Sequence, residues 1–162
     1  MENYEKILEK ESIIINEIRQ IKKYFHFIFN KNSYKKGSLI GEGSYGKVYQ
    51  AFDEDIGNII AIKEIDIKYT NNDYLENKIL SIQQEIEILS KLKHKNIIKY
   101  HGSKLNNQCF HIFLEYCIGG SIAKMLEDYS FFTENVIRKY TKQILEGLEY
   151  LHARNVIHRG ED

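Results

Sequence analysis

Gly41-Glu42-Gly43-Ser44-Tyr45-Gly46-Lys47-Val48 follows the apolar pair Leu39-Ile40 and runs into Tyr49-Gln50-Ala51-Phe52. Three glycines spaced G-x-G-x-x-G leave a backbone with few Cβ atoms, able to approach phosphate oxygens closely. The spacing alone is weak, because ordinary turns contain it too, so the flanks must decide. A dinucleotide-binding loop of this spacing opens a helix, whereas Lys47 to Phe52 alternates as a strand, which argues against a dinucleotide-dependent oxidoreductase. A G-x-x-x-x-G-K-[ST] loop needs Ser or Thr after its Lys, and here Val48 follows Lys47. What remains is a glycine-rich turn between two strands.

Toward the C-terminus, Asp55-Ile56-Gly57-Asn58 reads as a turn into a third strand, Ile59 to Ile65. Alternation puts Ala61 and Lys63 on one face of it. A strand lysine taken alone is usually a solvated side chain; behind a glycine-rich hairpin at this spacing it gains a partner to serve. From Leu75 to Leu92 the period changes, with Ile79, Ile82, Ile86, Leu89 and Leu92 on one helical face. That helix carries two carboxylates of interest, Glu85 and Glu87, either of which reads equally well as a solvated surface charge. Strands are predicted around Ile97 to Gly102 and Phe110 to Tyr116. Gly119-Gly120-Ser121 breaks the chain before a short helix, Ile122 to Tyr129, and a long one, Glu134 to Arg154, with Thr133 in position to cap it.

Toward the N-terminus, Asn30 to Gly37 is polar, and Lys35-Lys36-Gly37 closes it as a turn does. Before it, Ile7, Ile14, Ile21 and Ile28 recur one heptad apart, with Tyr4, Ile18 and Phe25 partly filling a second row that Glu11 interrupts. An amphipathic helix packed on its own domain is the plainer reading; a helix that binds a partner is the sharper one. The order β-β-β-α-β-β followed by helices gives an α+β class.

Composition sets outer limits. Lysine plus arginine and aspartate plus glutamate number 23 each, so the formal net charge is zero and the basic excess of nucleic-acid binders is missing. No apolar run approaches the ~18 residues of a membrane-spanning helix. Two cysteines, Cys109 and Cys117, are too few for a disulfide scaffold and point to a cytoplasmic setting. Neither they nor the six histidines show metal-ligand spacing, so no metal site is expected. Proline is absent although usage near 5% gives about eight in a chain of this length; with Ile, Lys, Asn and Tyr plentiful, this reads as a coding bias.

The glycine hairpin, Ile60-Ala61-Ile62-Lys63, Gln83-Gln84-Glu85, His94-Lys95-Asn96-Ile97-Ile98, Ile112-Phe113-Leu114-Glu115-Tyr116-Cys117 and Gly119-Gly120-Ser121-Ile122 occur in one order. In that order the chain resembles the eukaryotic protein kinase family over roughly Tyr34 to Arg159. With Ile137 to His152 added, it is most similar to serine/threonine kinases of the MAP kinase kinase kinase group. The resemblance implies a helical extension over residues 1–32, a kinase N-lobe of five antiparallel strands and one helix over 33–118, and the start of a C-lobe over 119–162. It implies an ATP site formed by Ile40, Gly41, Glu42, Gly43, Ser44, Tyr45, Gly46, Lys47 and Val48, with Ala61, Lys63, Leu114, Glu115 and Cys117. Lys63 would orient the α- and β-phosphates and Glu85, chosen over Glu87 by the family pattern, would hold it. Val48 and Ala61 would roof the adenine, Leu114 would be the gatekeeper, and backbone groups of Glu115 and Cys117 would bond the ring.

The family's catalytic loop reads His-Arg-Asp with Asn further on, and a later Asp-Phe-Gly binds Mg²⁺. Here the residues are His158-Arg159-Gly160-Glu161-Asp162, so glycine stands where the proton-accepting Asp belongs. The expectation is a truncated kinase domain, inactive and weak in ATP binding, with Mg²⁺ and a protein substrate relevant only to an intact form. A non-catalytic regulatory or scaffold protein, docking through residues 1–30, is the alternative. The same reading leaves Ile144, Leu148 and Leu151 partly uncovered on the long helix.

Overall fold

The computed structural model describes residues 33–43, 46–67, 72–106 and 109–158. The helix expected over 1–32, the loop tip Ser44-Tyr45, and Arg159 with Gly160 lie outside those residues. The elements are β1 (Tyr34–Gly43), β2 (Gly46–Asp53), β3 (Asn58–Asp66), α1 (Asn72–Lys91), β4 (Tyr100–Asn106), β5 (Cys109–Glu115), α2 (Ile122–Tyr129) and α3 (Glu134–His152). The strands form one antiparallel sheet in the order β1-β2-β3-β5-β4, giving the α+β class read from the sequence.

The register explains why β3 and β5 are the most apolar strands. Each has α1 packed on one face and a smaller apolar cluster on the other, and Ile60, Ile62, Phe110, Ile112 and Phe113 are buried. On one face α1 lays Ile79, Ile82 and Ile86 against Ile65, Ile67, Phe110 and Ile112. This is the stripe that the 3.6-residue period predicts. On the other face Ala51, Ile60, Ile62 and Phe113 form a smaller cluster, sealed by Tyr34.

Lys35-Lys36-Gly37, expected as a turn, is strand, with Lys35 opposite Phe52 and Lys36 opposite Ala51. The cause is electrostatic as well as steric: Lys35 reaches Glu54 at 2.9 Å and Lys36 reaches Glu64 at 2.6 Å. An edge strand accepts such charges readily. The fourth strand begins at Tyr100 rather than Ile97, because His94 to Ile97 makes a turn in which the Ile97 N–H donates to the His94 carbonyl.

That turn docks α3. Asn96 donates from Nδ2 to the Gln143 carbonyl at 2.9 Å and to Glu146 at 3.1 Å, and the Lys93 N–H donates to the Tyr150 hydroxyl at 2.7 Å. Closeness is possible because position 147 is glycine: a Cβ there would lie 3.3 Å from the Asn96 carbonyl oxygen. Thr133 is the N-cap of α3 but makes no side-chain cap bond, and the helix ends at His152 rather than Arg154. Ser121 does cap α2, accepting from the Lys124 N–H at 3.1 Å. On α3 Ile144 and Leu145 are exposed, whereas Leu151, expected to be uncovered, is buried.

Candidate functional site

Register fixes which side chains share a surface. Val48 lies opposite Lys63, Ala61 opposite Leu114, and Lys63 opposite Ile112. Directly paired residues project to the same face, so Val48, Ala61, Lys63 and Leu114 stand together on the face that α1 covers further along. Ala61 is buried, and Val48 and Leu114 are half-buried. Val48, Ala61 and Leu114 thus share one face of the sheet with Lys63.

Lys63 is held from α1. Its Nζ donates to Glu85 Oε1 at 3.0 Å, with the lysine side chain 16% and the glutamate 38% exposed. Glu87 instead pairs with Lys91 one helical turn on, at 2.6 Å, and this lysine holds its carboxyl below the usual range. The two carboxylates that sequence left open are therefore separated by helix geometry. Residues two apart on a helix point about 200° apart, so only one of them meets the sheet.

The glycine hairpin closes at Gly43 opposite Gly46, with Glu42 opposite Lys47 and Gly41 opposite Val48. Its glycines differ in kind. Gly46 has φ +138°, and a Cβ there would fall 2.2 Å from the Glu64 carbonyl oxygen, so no other residue fits without parting β2 from β3. At Gly43 a Cβ would meet nothing within 4 Å. The chain itself does not require glycine there, and the space that a side chain would fill lies open. Glu42 and Lys47 pair across the hairpin at 3.6 Å. Ile40 is exposed beside an irregularity in the β1–β2 pairing.

Past β5, the Glu115 N–H donates to the Lys99 carbonyl at 2.9 Å, so the Glu115 group left to a ligand is its carbonyl. Cys117 is exposed, and its carbonyl accepts from the Gly120 N–H in the turn that leads to α2. His158 is exposed. Ser44, Tyr45, Arg159 and Gly160 are outside the described residues.

Residues 34–160 match the protein kinase domain. The chain belongs to the protein kinase family. It is 44% identical over 150 residues to mitogen-activated protein kinase kinase kinase A of Dictyostelium discoideum, an alignment covering 91% of this chain and 15% of that protein. It is 46% identical over 129 residues to mitogen-activated protein kinase kinase kinase 3 of Arabidopsis thaliana, covering 79% of this chain and 21% of that one. Against MAP kinase kinase kinase mkh1 of Schizosaccharomyces pombe the figures are 43% over 128 residues, 76% and 12%. These relatives place it with the MAP kinase kinase kinase group, and the chain spans about a fifth or less of their length. Protein kinases use ATP with Mg²⁺. No helix among the described residues is long and apolar enough to cross a membrane.

Proposed function

We propose that this chain carries the ATP-cradling half of a serine/threonine protein kinase whose intact form transfers the γ-phosphate of ATP to protein hydroxyls in a cytoplasmic MAP kinase cascade. The observation that carries the reading is the Lys63–Glu85 pair, 3.0 Å long, on the sheet face that also bears Val48, Ala61 and Leu114. Lys63 supplies a fixed positive charge for the α- and β-phosphates, and Glu85 holds it in place. The hairpin from Gly41 to Val48, Ser44 and Tyr45 included, covers the phosphates with backbone amides. Val48, Ala61 and Leu114 enclose the adenine, and backbone groups of Glu115 and Cys117 bond its edge. Residues 33–118 act as the N-lobe and 119–162 as the start of the C-lobe.

Phosphoryl transfer depends on positioning the acceptor hydroxyl as well as the nucleotide. Gly160 stands at the position of the proton-accepting Asp and offers no group for that task. The chain on its own therefore transfers no phosphate. The check is transfer of radiolabelled γ-phosphate to a generic protein substrate by the purified 162-residue chain. None is expected; transfer that Lys63→Met abolishes would overturn the inactive reading.

A second reading is a non-catalytic regulator. In its favour, α3 presents an open apolar face bearing Ile137, Leu145 and Leu148, and residues 1–30 carry the heptad isoleucines. Association of the purified chain with a protein partner, dependent on Ile14 and Ile21, would support it.

A further inference from the structure

On the sheet face opposite Lys63, β3 and β5 place four side chains of metal-binding type in two opposed pairs. Glu64 lies across from His111, and Asp66 across from Cys109. The sequence conceals this, because Cys109 and Asp66 are 43 residues apart and neither strand alone shows ligand spacing. Ligand atoms of Glu64, Asp66 and Cys109 lie within 4.8 Å of one another. Cys109 Sγ is 3.1 Å from Asp66 Oδ1, and His111 Nε2 is 3.0 Å from Glu64 Oε2. In a tetrahedral Zn²⁺ site, with bonds of about 2.0 Å to oxygen or nitrogen and about 2.3 Å to sulfur, neighbouring ligand atoms are about 3.5 Å apart. The ligand atoms of Glu64, Asp66 and Cys109 are therefore near that spacing, and His111, which reaches the group through Glu64, must turn toward them to close the site.

We propose that Glu64, Asp66, Cys109 and His111 form a Zn²⁺-binding site on the outer face of the sheet, unconnected with ATP. One sulfur, one imidazole nitrogen and two carboxylates make a borderline-soft set that suits Zn²⁺ and disfavours Mg²⁺ and Ca²⁺, which take oxygen ligands. His111 is buried, which fixes its ring between Glu64 and Tyr34. Its Nδ1 is 2.8 Å from the Tyr34 hydroxyl. When Nε2 binds metal, Nδ1 carries the ring proton and donates it to Tyr34, the orienting contact that ligating histidines usually make. Lys36, 2.6 Å from Glu64, offsets the excess negative charge of two carboxylates and a thiolate around one dication. Binding breaks the Cys109 S–H bond, and its proton, now directed at Asp66, leaves to solvent.

The test titrates the reduced, chelator-treated 162-residue chain with Co²⁺ alone, then adds Zn²⁺. A thiolate-to-cobalt charge-transfer band is expected to saturate at one equivalent and to be displaced by one equivalent of Zn²⁺. Cys109→Ser should remove the band and weaken Zn²⁺ binding about 100-fold, and Tyr34→Phe should weaken it about tenfold. Cys117→Ser should change neither. His111→Gln should behave as Cys109→Ser does; because His111 is buried, its circular dichroism is compared with that of the parent chain, and the half-exposed Cys109 carries the test if that variant unfolds. Absence of a saturable band, a band that persists in Cys109→Ser, or one lost in Cys117→Ser overturns the proposal. Lys63→Met, which removes the proposed phosphate contact, should leave Zn²⁺ binding intact.

Discussion

Replacing Gly46 by alanine should unfold a large part of the sheet's stability, and replacing Gly43 by alanine should not. At position 46 the backbone has φ +138°, a conformation that costs a non-glycine residue about 1–3 kcal/mol. The new Cβ would lie 2.2 Å from the Glu64 carbonyl oxygen. Ordinary contact begins near 3.4 Å, so β2 and β3 must separate by roughly an ångström, weakening the ladder where Lys47 faces Glu64. Overpacking of this kind adds about 1–3 kcal/mol. The sum, about 2–6 kcal/mol, is a large share of the roughly 5–15 kcal/mol that keeps a domain folded. At Gly43 the added Cβ meets nothing, and the expected change is within about 0.5 kcal/mol. Urea unfolding followed by far-UV circular dichroism measures both. Equal stability of Gly46→Ala and the parent chain, with unchanged denaturant slope, would refute the reasoning.

Three further outcomes follow from the geometry. Gly147→Ala should be close to neutral, since about 1 kcal/mol of helix propensity offsets the 3.3 Å approach to the Asn96 carbonyl; Gly147→Leu should push α3 from the turn and lower the denaturation midpoint clearly. In the metal-free chain Cys117, exposed, should be alkylated well before Cys109, whose thiol burial and the neighbouring Asp66 and Glu64 push up to about 11. The Cys109 rate should rise about tenfold per pH unit up to that value, because thiolate is the reactive form; mass spectrometry of the two peptides reads this directly. Because Cys109 titrates higher in the folded chain than its ordinary 9.0, the folded state holds more protons between those values, and stability should fall as pH rises through that window.

The elements that carry the candidate site were legible because their signals are local. The glycine spacing, the strand alternation that puts Lys63 on the face of Ala61, and the 3.6-residue stripe of α1 are each contained within about twenty residues. The choice between Glu85 and Glu87 was not local. It needed the family likeness, and the helix phase relative to β3 then places Glu85, not Glu87, against Lys63. The start of β1 was misread because Lys35 and Lys36 are polar residues on an edge strand, and their partners Glu54 and Glu64 lie on other elements. The Glu64–Asp66–Cys109–His111 group was invisible for the same reason: only the β3–β5 register brings it together.

The central claim is that Lys63, held by Glu85, faces the phosphates of ATP. Titration of the 162-residue chain with a fluorescent ATP analogue, beside Lys63→Met and Glu85→Gln variants of unchanged circular dichroism, tests it most directly. The account predicts weak but saturable binding to the parent chain, competed by ATP and weakened at least tenfold by Lys63→Met, with Glu85→Gln in between. Binding that is the same in all three proteins, or none in the folded parent chain, would contradict it.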